Sequence, residues 1–155
     1  MVVVGADVHQ RTHTFVAVDE VGRELGHTTF DTTTLGHRGA VRRVRERFGA
    51  EARWAIEDFP HLSARLERDL LTAGQSVVRV GPKMMAEQRR MARTRGESDP
   101  IDALAVARVA QREPHLPAAT HLSPRGRLRP GRWTGPNTRT CSRPGLNQWV
   151  GSWRS

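Results

Sequence analysis

The chain opens on an apolar run, Val2 to Ala6, that ends at a carboxylate, Asp7. That pattern predicts a buried strand over 2–7. Thr12 to Asp19 alternates and predicts a second strand, and Arg23 to Asp31 a third, joined to the second by a tight turn at Val21-Gly22. The period then changes. In "LGHRGAVRRVRERFG" (35–49), Leu35, Ala40, Val41, Val44 and Phe48 read as the apolar side of a helix that Gly49 stops. "ARWAIED" (52–58) predicts a fourth strand with Trp54 and Ile56 on one face. Pro60 starts a helix through Leu62, Leu66, Leu70 and Leu71, ended by Gly74. "QSVVRVG" (75–81) predicts a fifth strand, and Pro82 opens a basic helical segment, "KMMAEQRRMARTRG", whose Met84, Met85 and Met91 are expected to face the core. The last helix is expected over 98–113, with Ser98 as N-cap and Pro100 in the first turn.

Three strands joined by short turns form an antiparallel meander. Strands separated by helices run parallel, with right-handed crossovers. The order therefore predicts an α/β domain, one mixed five-stranded sheet covered by helices, over residues 1–117. From about residue 118 the pattern stops. "THLSPRGRLRPGRWTGPNTRTCSRPGLNQWVGSWRS" (120–155) is rich in Gly, Pro, Ser, Thr and Arg and keeps no period. It is expected to be unstructured. A single-strand-binding arm, with Trp133, Trp149 and Trp153 stacking on bases, is one reading. A disordered tail is a second. A shifted reading frame is the third, favoured by the abrupt loss of acids and of periodicity.

Charge sharpens that boundary. The 155 residues carry a formal net charge of +9, and all 16 acids lie at or before Glu113. Residues 1–113 hold 18 basic side chains against those 16 acids, a balance of +2, and the remainder adds seven arginines. A basic balance favours a nucleic-acid partner. Lys83 is the only lysine, however, and such an arginine bias also follows from a GC-rich genome. "RRVRER" (42–47) is read as a solvated helix face. The apolar runs fall well short of the roughly 20 residues of a membrane span. With no leader pattern ahead of Gly5, a cytoplasmic location is expected. The lone Cys141 forms neither an internal disulfide nor a cysteine-based zinc cluster by itself.

The chemistry rests on carboxylates. Asp7 ends the first strand, Glu57 the fourth, and Asp99 and Asp102 stand three apart at the start of the last helix, on one face. If the first and fourth strands are parallel neighbours, their carboxyl-terminal ends lie side by side, and the last helix brings two more acids to that edge. Clustered carboxylates repel unless a cation neutralises them. Mg²⁺, with its preference for carboxylate and water oxygens, fits. Two such ions about 4 Å apart hold both the attacking and the leaving oxygen of a phosphodiester. Taken singly, each acid has a plainer reading, Asp7 as a turn residue and Asp99 or Asp102 as complements of the helix dipole. Asp58 rivals Glu57. His9 and His13 in "HQRTH" have a zinc-like spacing, but it crosses a strand break without a third ligand; His9 is expected to be exposed beside Asp7.

The strand order and the D…E…D-x-x-D pattern resemble the ribonuclease H/RuvC-like fold. More closely, "VVVGADVHQRTHTFVAVDEVGRELG", "WAIED" and "VVRVGPKMMAEQRRMARTRGESDPIDALAVARVA" resemble the amino-terminal half of DEDD transposases of the insertion-sequence one-ten family, which includes the Piv-type invertases. The resemblance covers about residues 2–117. It implies that Asp7, Glu57, Asp99 and Asp102 are the catalytic acids and bind Mg²⁺ or Mn²⁺. It implies DNA as substrate, a noncoding guide RNA as partner, and a homo-oligomer in the full-length protein. It also implies a second half carrying a nucleophilic serine. Nothing after His121 resembles that half, so a truncated or frameshifted remnant of doubtful activity is expected. Two other classes stay in view. One is a non-catalytic RNA- or DNA-binding module of the same fold. The other is an actin-like phosphotransferase, which needs a glycine soon after the first aspartate where Val8, His9 and Gln10 stand.

Overall fold

The computed structural model describes residues 1–91 and 99–120, with the backbone alone at Arg89 and Met91. Five strands, β1 (Val2–Val8), β2 (Thr12–Val18), β3 (Glu24–Asp31), β4 (Ala52–Glu57) and β5 (Ser76–Val80), form one sheet in the order β3-β2-β1-β4-β5. β1 is antiparallel to β2 and parallel to β4, β2 is antiparallel to β3, and β4 is parallel to β5. The helices are α1 (Thr34–Phe48), α2 (Pro60–Thr72), α3 (Pro82–Met91) and α4 (Asp99–Arg112). This is the expected mixed sheet, a meander extended by two parallel strands. The α3 segment is described only to Met91, and Ser98, the expected N-cap, lies outside the described residues.

Local chemistry accounts for the joints. At the β2–β3 turn the Asp19 carboxylate accepts from the backbone N–H groups of Val21 and Arg23, and Gly22 takes φ 77°. Thr33 caps α1 by accepting from the Gly36 N–H, and Gly49 ends the helix at φ 87°. Pro60 sits in the first turn of α2, where a missing N–H leaves no helical bond unmade.

Strand alternation splits the core in two. Val4, Ala6, Val8, Phe15, Ala17, Trp54, Ile56 and Val77 face α1 and α2. Trp54 meets Phe15 edge-on at 5.6 Å and donates its indole N–H to Gln75 at 3.0 Å, so the largest buried ring has its polar atom satisfied. The opposite face, with Val3, Val16, Val18, Ala55, Val78 and Val80, packs on Ala103, Val106, Ala107 and Ala110 of α4 and Met85 of α3. One helix position departs from expectation. Leu35 is 75% exposed, and His37 is buried on the core face with Ala40, Val41 and Val44. Leu35 precedes His37 by two residues, about 200° around the helix, which turns it to solvent.

The chain continues past α4 onto the free edge of β5. Ala118 bridges Val78, the Arg79 N–H donates to Pro117 O at 3.1 Å, and the Ala119 N–H to Val77 O at 2.9 Å. This cover occupies backbone groups that an open edge strand would expose. Residues 121–155, including every tail residue weighed above from His121 onward, lie outside the described residues.

Gly5 carries more than strand geometry. A Cβ built on it would lie 2.2 Å from Ala103 O and 2.5 Å from Ala107 N. Ala103, Ala107 and Ala110 present small side chains to the sheet, so the α4 backbone rides directly on β1. Gly5→Ala is therefore expected to force α4 off the sheet and destabilise the protein by at least about 1–3 kcal/mol, the usual cost of overpacking. Thermal unfolding of the variant measures this; an unchanged melting temperature would mean that α4 has room the structure does not show.

Candidate metal centre

α4 runs antiparallel to β1. Its carboxyl-terminal half is tied down by Arg108, which donates to Gly22 O at 3.0 Å, and by Arg53, which donates to Ala110 O and Pro114 O. Gln111 donates to Glu20 O. Its first turn, with Asp99 and Asp102, consequently arrives at the carboxyl-terminal end of β1. There Asp7 follows Val3 and Gly5 on the α4 face.

Glu57 reaches the same face from the neighbouring strand. Ala6 pairs with Ile56 in the parallel register, so the next residues, Asp7 and Glu57, lie side by side and turn to the same side as Ala55. Glu57 is 3% exposed and Asp7 9%. Alternation also separates Glu57 from its rival. Asp58 lines a groove with Ser63, Glu67 and Arg79 on the α2 side, where Glu67 accepts two hydrogen bonds from Arg79 at 2.6 and 2.7 Å. Glu67 holds the Arg79 guanidinium more firmly protonated, with a smaller contribution from Asp58. Asp58 is thus committed to the other face of the sheet.

His9 belongs to the cluster. Its Nε2–H donates to Asp7 Oδ2 at 2.8 Å and lies 3.5 Å from Asp99 Oδ1. One ligand atom each from Asp7, His9 and Asp99 fall within 4.8 Å of one another, the separation that a shared cation requires. Burial pushes the Asp7 carboxyl up from its ordinary value. The charge and hydrogen bond of His9 oppose that shift, and the carboxylates of Asp102 and Asp99 add to it. A carboxylate that is both desolvated and crowded by like charges is stabilised by a cation. The donor set, carboxylate oxygens with one imidazole, fits a divalent ion.

His13 takes no part. It faces α1, 1% exposed, stacked on His37 at 5.2 Å, and His37 Nδ1–H donates to Asp69 at 2.7 Å. The His9 backbone N–H donates to His13 Nδ1, so the two histidines are linked through the main chain while their rings serve opposite faces. The zinc-like spacing therefore forms no shared site. The residues between β1 and β2, His9 to Arg11, include no glycine, as the phosphate-cradling hairpin of a phosphotransferase would need.

The architecture defines the class: an α/β domain of the RuvC-like fold with carboxylates gathered at one sheet edge. Among solved structures, Thermus thermophilus RuvC superposes with TM-score 0.54 at 18% identity, covering 77% of this chain and all of that one. The T. thermophilus RuvC chain solved with a Holliday junction substrate gives 0.51 at 19%, covering 72% and 95%. No curated protein matches in sequence. The family model of the IS110-type DEDD transposases matches residues 4–125, and the chain belongs to that transposase family. Its members act on DNA. Among the described residues no helix is long and apolar enough to cross a membrane.

The buried histidine generates a stability prediction. Burial, then the neighbouring His37 and His9, lower the His13 pKa from 6.5 to about 4. Between those values the unfolded chain binds the proton and the folded one does not, so stability falls as pH drops from 6.5 toward 4. The full contribution is about 3 kcal/mol, lost progressively across that window. Urea unfolding at pH 7 and pH 4.5 should show a smaller acid loss in His13→Phe than in the wild type. Equal losses would place the acid sensitivity elsewhere.

Proposed function

We propose that residues 1–120 form the metal-dependent phosphodiester-processing domain of a transposase, with Asp7, Glu57, Asp99 and Asp102 as the acids that hold Mg²⁺ or Mn²⁺. The observation that carries this reading is convergence. Two neighbouring parallel strands and the first turn of α4 deliver acids to one edge in a chain of the transposase family. When bound, divalent ions polarise the scissile phosphodiester and stabilise charge on its attacking and leaving oxygens. The protein's part is placement. Asp7 and Glu57 are fixed by hydrogen-bonded strands, and Asp99 and Asp102 by a helix seated on Gly5. Asp99 is half-exposed, with 54% of its side chain open to solvent, so the cluster faces water on the side where a DNA strand would enter.

The substrate is proposed to be DNA at the ends of a mobile element, including branched intermediates; one of the similar RuvC chains was solved on a Holliday junction. A noncoding guide RNA and assembly into a homo-oligomer belong to the same reading. So does a limit on these 155 residues. Recombination through a covalent protein–DNA intermediate needs a protein nucleophile, and four acids committed to metal supply none. On this reading these residues by themselves hydrolyse or bind DNA without recombining it.

Thermal shift tests the acids directly. At an ion concentration 100 times Kd, binding stabilises by about 2.7 kcal/mol, which raises the melting temperature by several degrees. Asp7→Asn should abolish that rise while leaving the metal-free protein as stable as wild type or more so, because it removes a desolvated carboxylate from a crowd of like charges. A full metal response in the variant would sink the four-acid assignment and favour a non-catalytic nucleic-acid-binding module.

A second assay addresses the reaction. With cognate element ends and RNA, the 155-residue chain is expected to show only metal-dependent hydrolysis, lost in Asp102→Ala. Efficient recombination would show that no further nucleophile-bearing half is required.

A further inference from the structure

We infer that His9 is a nitrogen ligand of the same cation site, and that it biases the site toward Mn²⁺ over Mg²⁺. The inference rests on the reading of the four acids as metal ligands and adds a fifth, chemically different donor. Neighbouring ligands of a six-coordinate ion with bonds of about 2.1 Å stand roughly 3 Å apart. His9 Nε2 lies 2.8 Å from Asp7 Oδ2 and 3.5 Å from Asp99 Oδ1, on either side of that separation. Nε2, which now faces Asp7, is the nitrogen that would ligate. To do so it gives up its proton, by transfer to Nδ1 of the neutral ring or to solvent from the charged one, and the half-exposed ring turns so that the freed lone pair faces the ion between it and Asp7.

The main chain supports the placement. Asp7 and His9 are two apart, the spacing that returns a side chain to the same side of a strand. His9 sits in the short β1–β2 connection, where its backbone N–H is shared between Thr12 O at 3.2 Å and His13 Nδ1 at 3.3 Å. His13 in turn is locked by its stack on His37. The half-exposed ring therefore projects from an anchored backbone.

Donor chemistry sets the expected preference. Mg²⁺ takes oxygen ligands and parts reluctantly with its water. Imidazole suits transition-metal ions, so a mixed nitrogen and oxygen set discriminates where carboxylates alone discriminate little. The rival role for His9 is a counter-ion that fills the cation's place and leaves when the ion arrives. The two roles predict opposite effects of removing the ring: a ligand's loss weakens Mn²⁺ binding, whereas a competitor's loss strengthens binding of both ions.

The test uses the full 155-residue chain, with Mn²⁺ binding followed by electron paramagnetic resonance and Mg²⁺ by competition. His9→Ala should weaken Mn²⁺ binding about 10-fold or more and Mg²⁺ binding by much less. Pulsed spectra of Mn²⁺ on the wild type should show imidazole nitrogen coupling that His9→Ala lacks. Absence of that coupling in the wild type overturns the proposal and needs no variant to fold. Unchanged or tighter Mn²⁺ binding by a folded His9→Ala overturns it as well. Asp7→Asn separates the two levels. If it still binds both ions as wild type does, the four-acid reading has failed. If it loses them while His9→Ala keeps Mn²⁺, only the role of His9 has failed.

Discussion

The near-contact of α4 with β1 at Gly5 is the constraint on which the rest of the structure turns. Helix backbone meets strand backbone with no side chain between them, and alanines at 103, 107 and 110 keep the approach close on the helix side. Arg53 and Arg108 hold the far end of the helix to β4 and to the β2–β3 turn. With one end tied and the middle seated on Gly5, the first turn of α4 has one place to go, the carboxyl-terminal end of β1. The position of Asp99 and Asp102 relative to Asp7 is therefore a consequence of apolar packing beside the acids, Gly5 against Ala103, rather than of any contact between the acids themselves.

That packing works against electrostatics. It brings carboxylates from α4 toward one that the sheet has already partly desolvated, and the Asp7 carboxyl is pushed up as a result. A fold that holds like charges together without a cation carries unfavourable energy at the site, offset by the apolar contacts of the two core layers. On the opposite face of the sheet the Trp54 indole is paired with Gln75 and His37 Nδ1 with Asp69, while His37 Nε2 is buried without a hydrogen-bond partner among the described residues. The α4 face uses small side chains and carries the candidate chemistry; the α1–α2 face uses large ones and carries bulk.

Much of this was legible in the sequence. The alternation of 12–19, the helical period of 60–72 and the turn glycines at 22, 49 and 74 announce their elements, and the order of elements announces the sheet. The sequence left Asp58 as a rival to Glu57, because which strand face meets which helices is not local information. In the fold Asp58 shares a face with Trp54 and Ile56, and Glu57 with Ala55, so Glu57 is the one of the two on the side of Asp7. Two features were harder to read. Gly5 interrupts an apolar run and looks like a strand glycine; only the three-dimensional approach of residues a hundred positions later shows what excludes a side chain there. His37 at a core position of α1, in place of Leu35, depends on partners in β2 and α2, His13 and Asp69, that local periodicity does not reveal. His9 lay between: the Asp-x-His spacing places it beside Asp7, but its approach to Asp99 depends on the seating of α4.

The exits of the chain explain why the acids have an open side. After β1 the chain turns within the sheet into β2, and after β4 it crosses to α2 on the aromatic face. Of these two connections, only the first reaches the α4 face at the end of the strands, through the half-exposed ring of His9. Over the described residues, that corner is bounded by the amino-terminal turn of α4 and by the β1–β2 connection that carries His9. Exposure grades accordingly, from the buried Glu57 and Asp7 of the strands to the half-exposed His9 and Asp99 at the rim. The groups held by strands lie deep and the ones near loop and helix ends lie outermost. On the proposed reading, Asp7 and Glu57 would hold an ion from the sheet side, and the rim would leave room for water or phosphate oxygens.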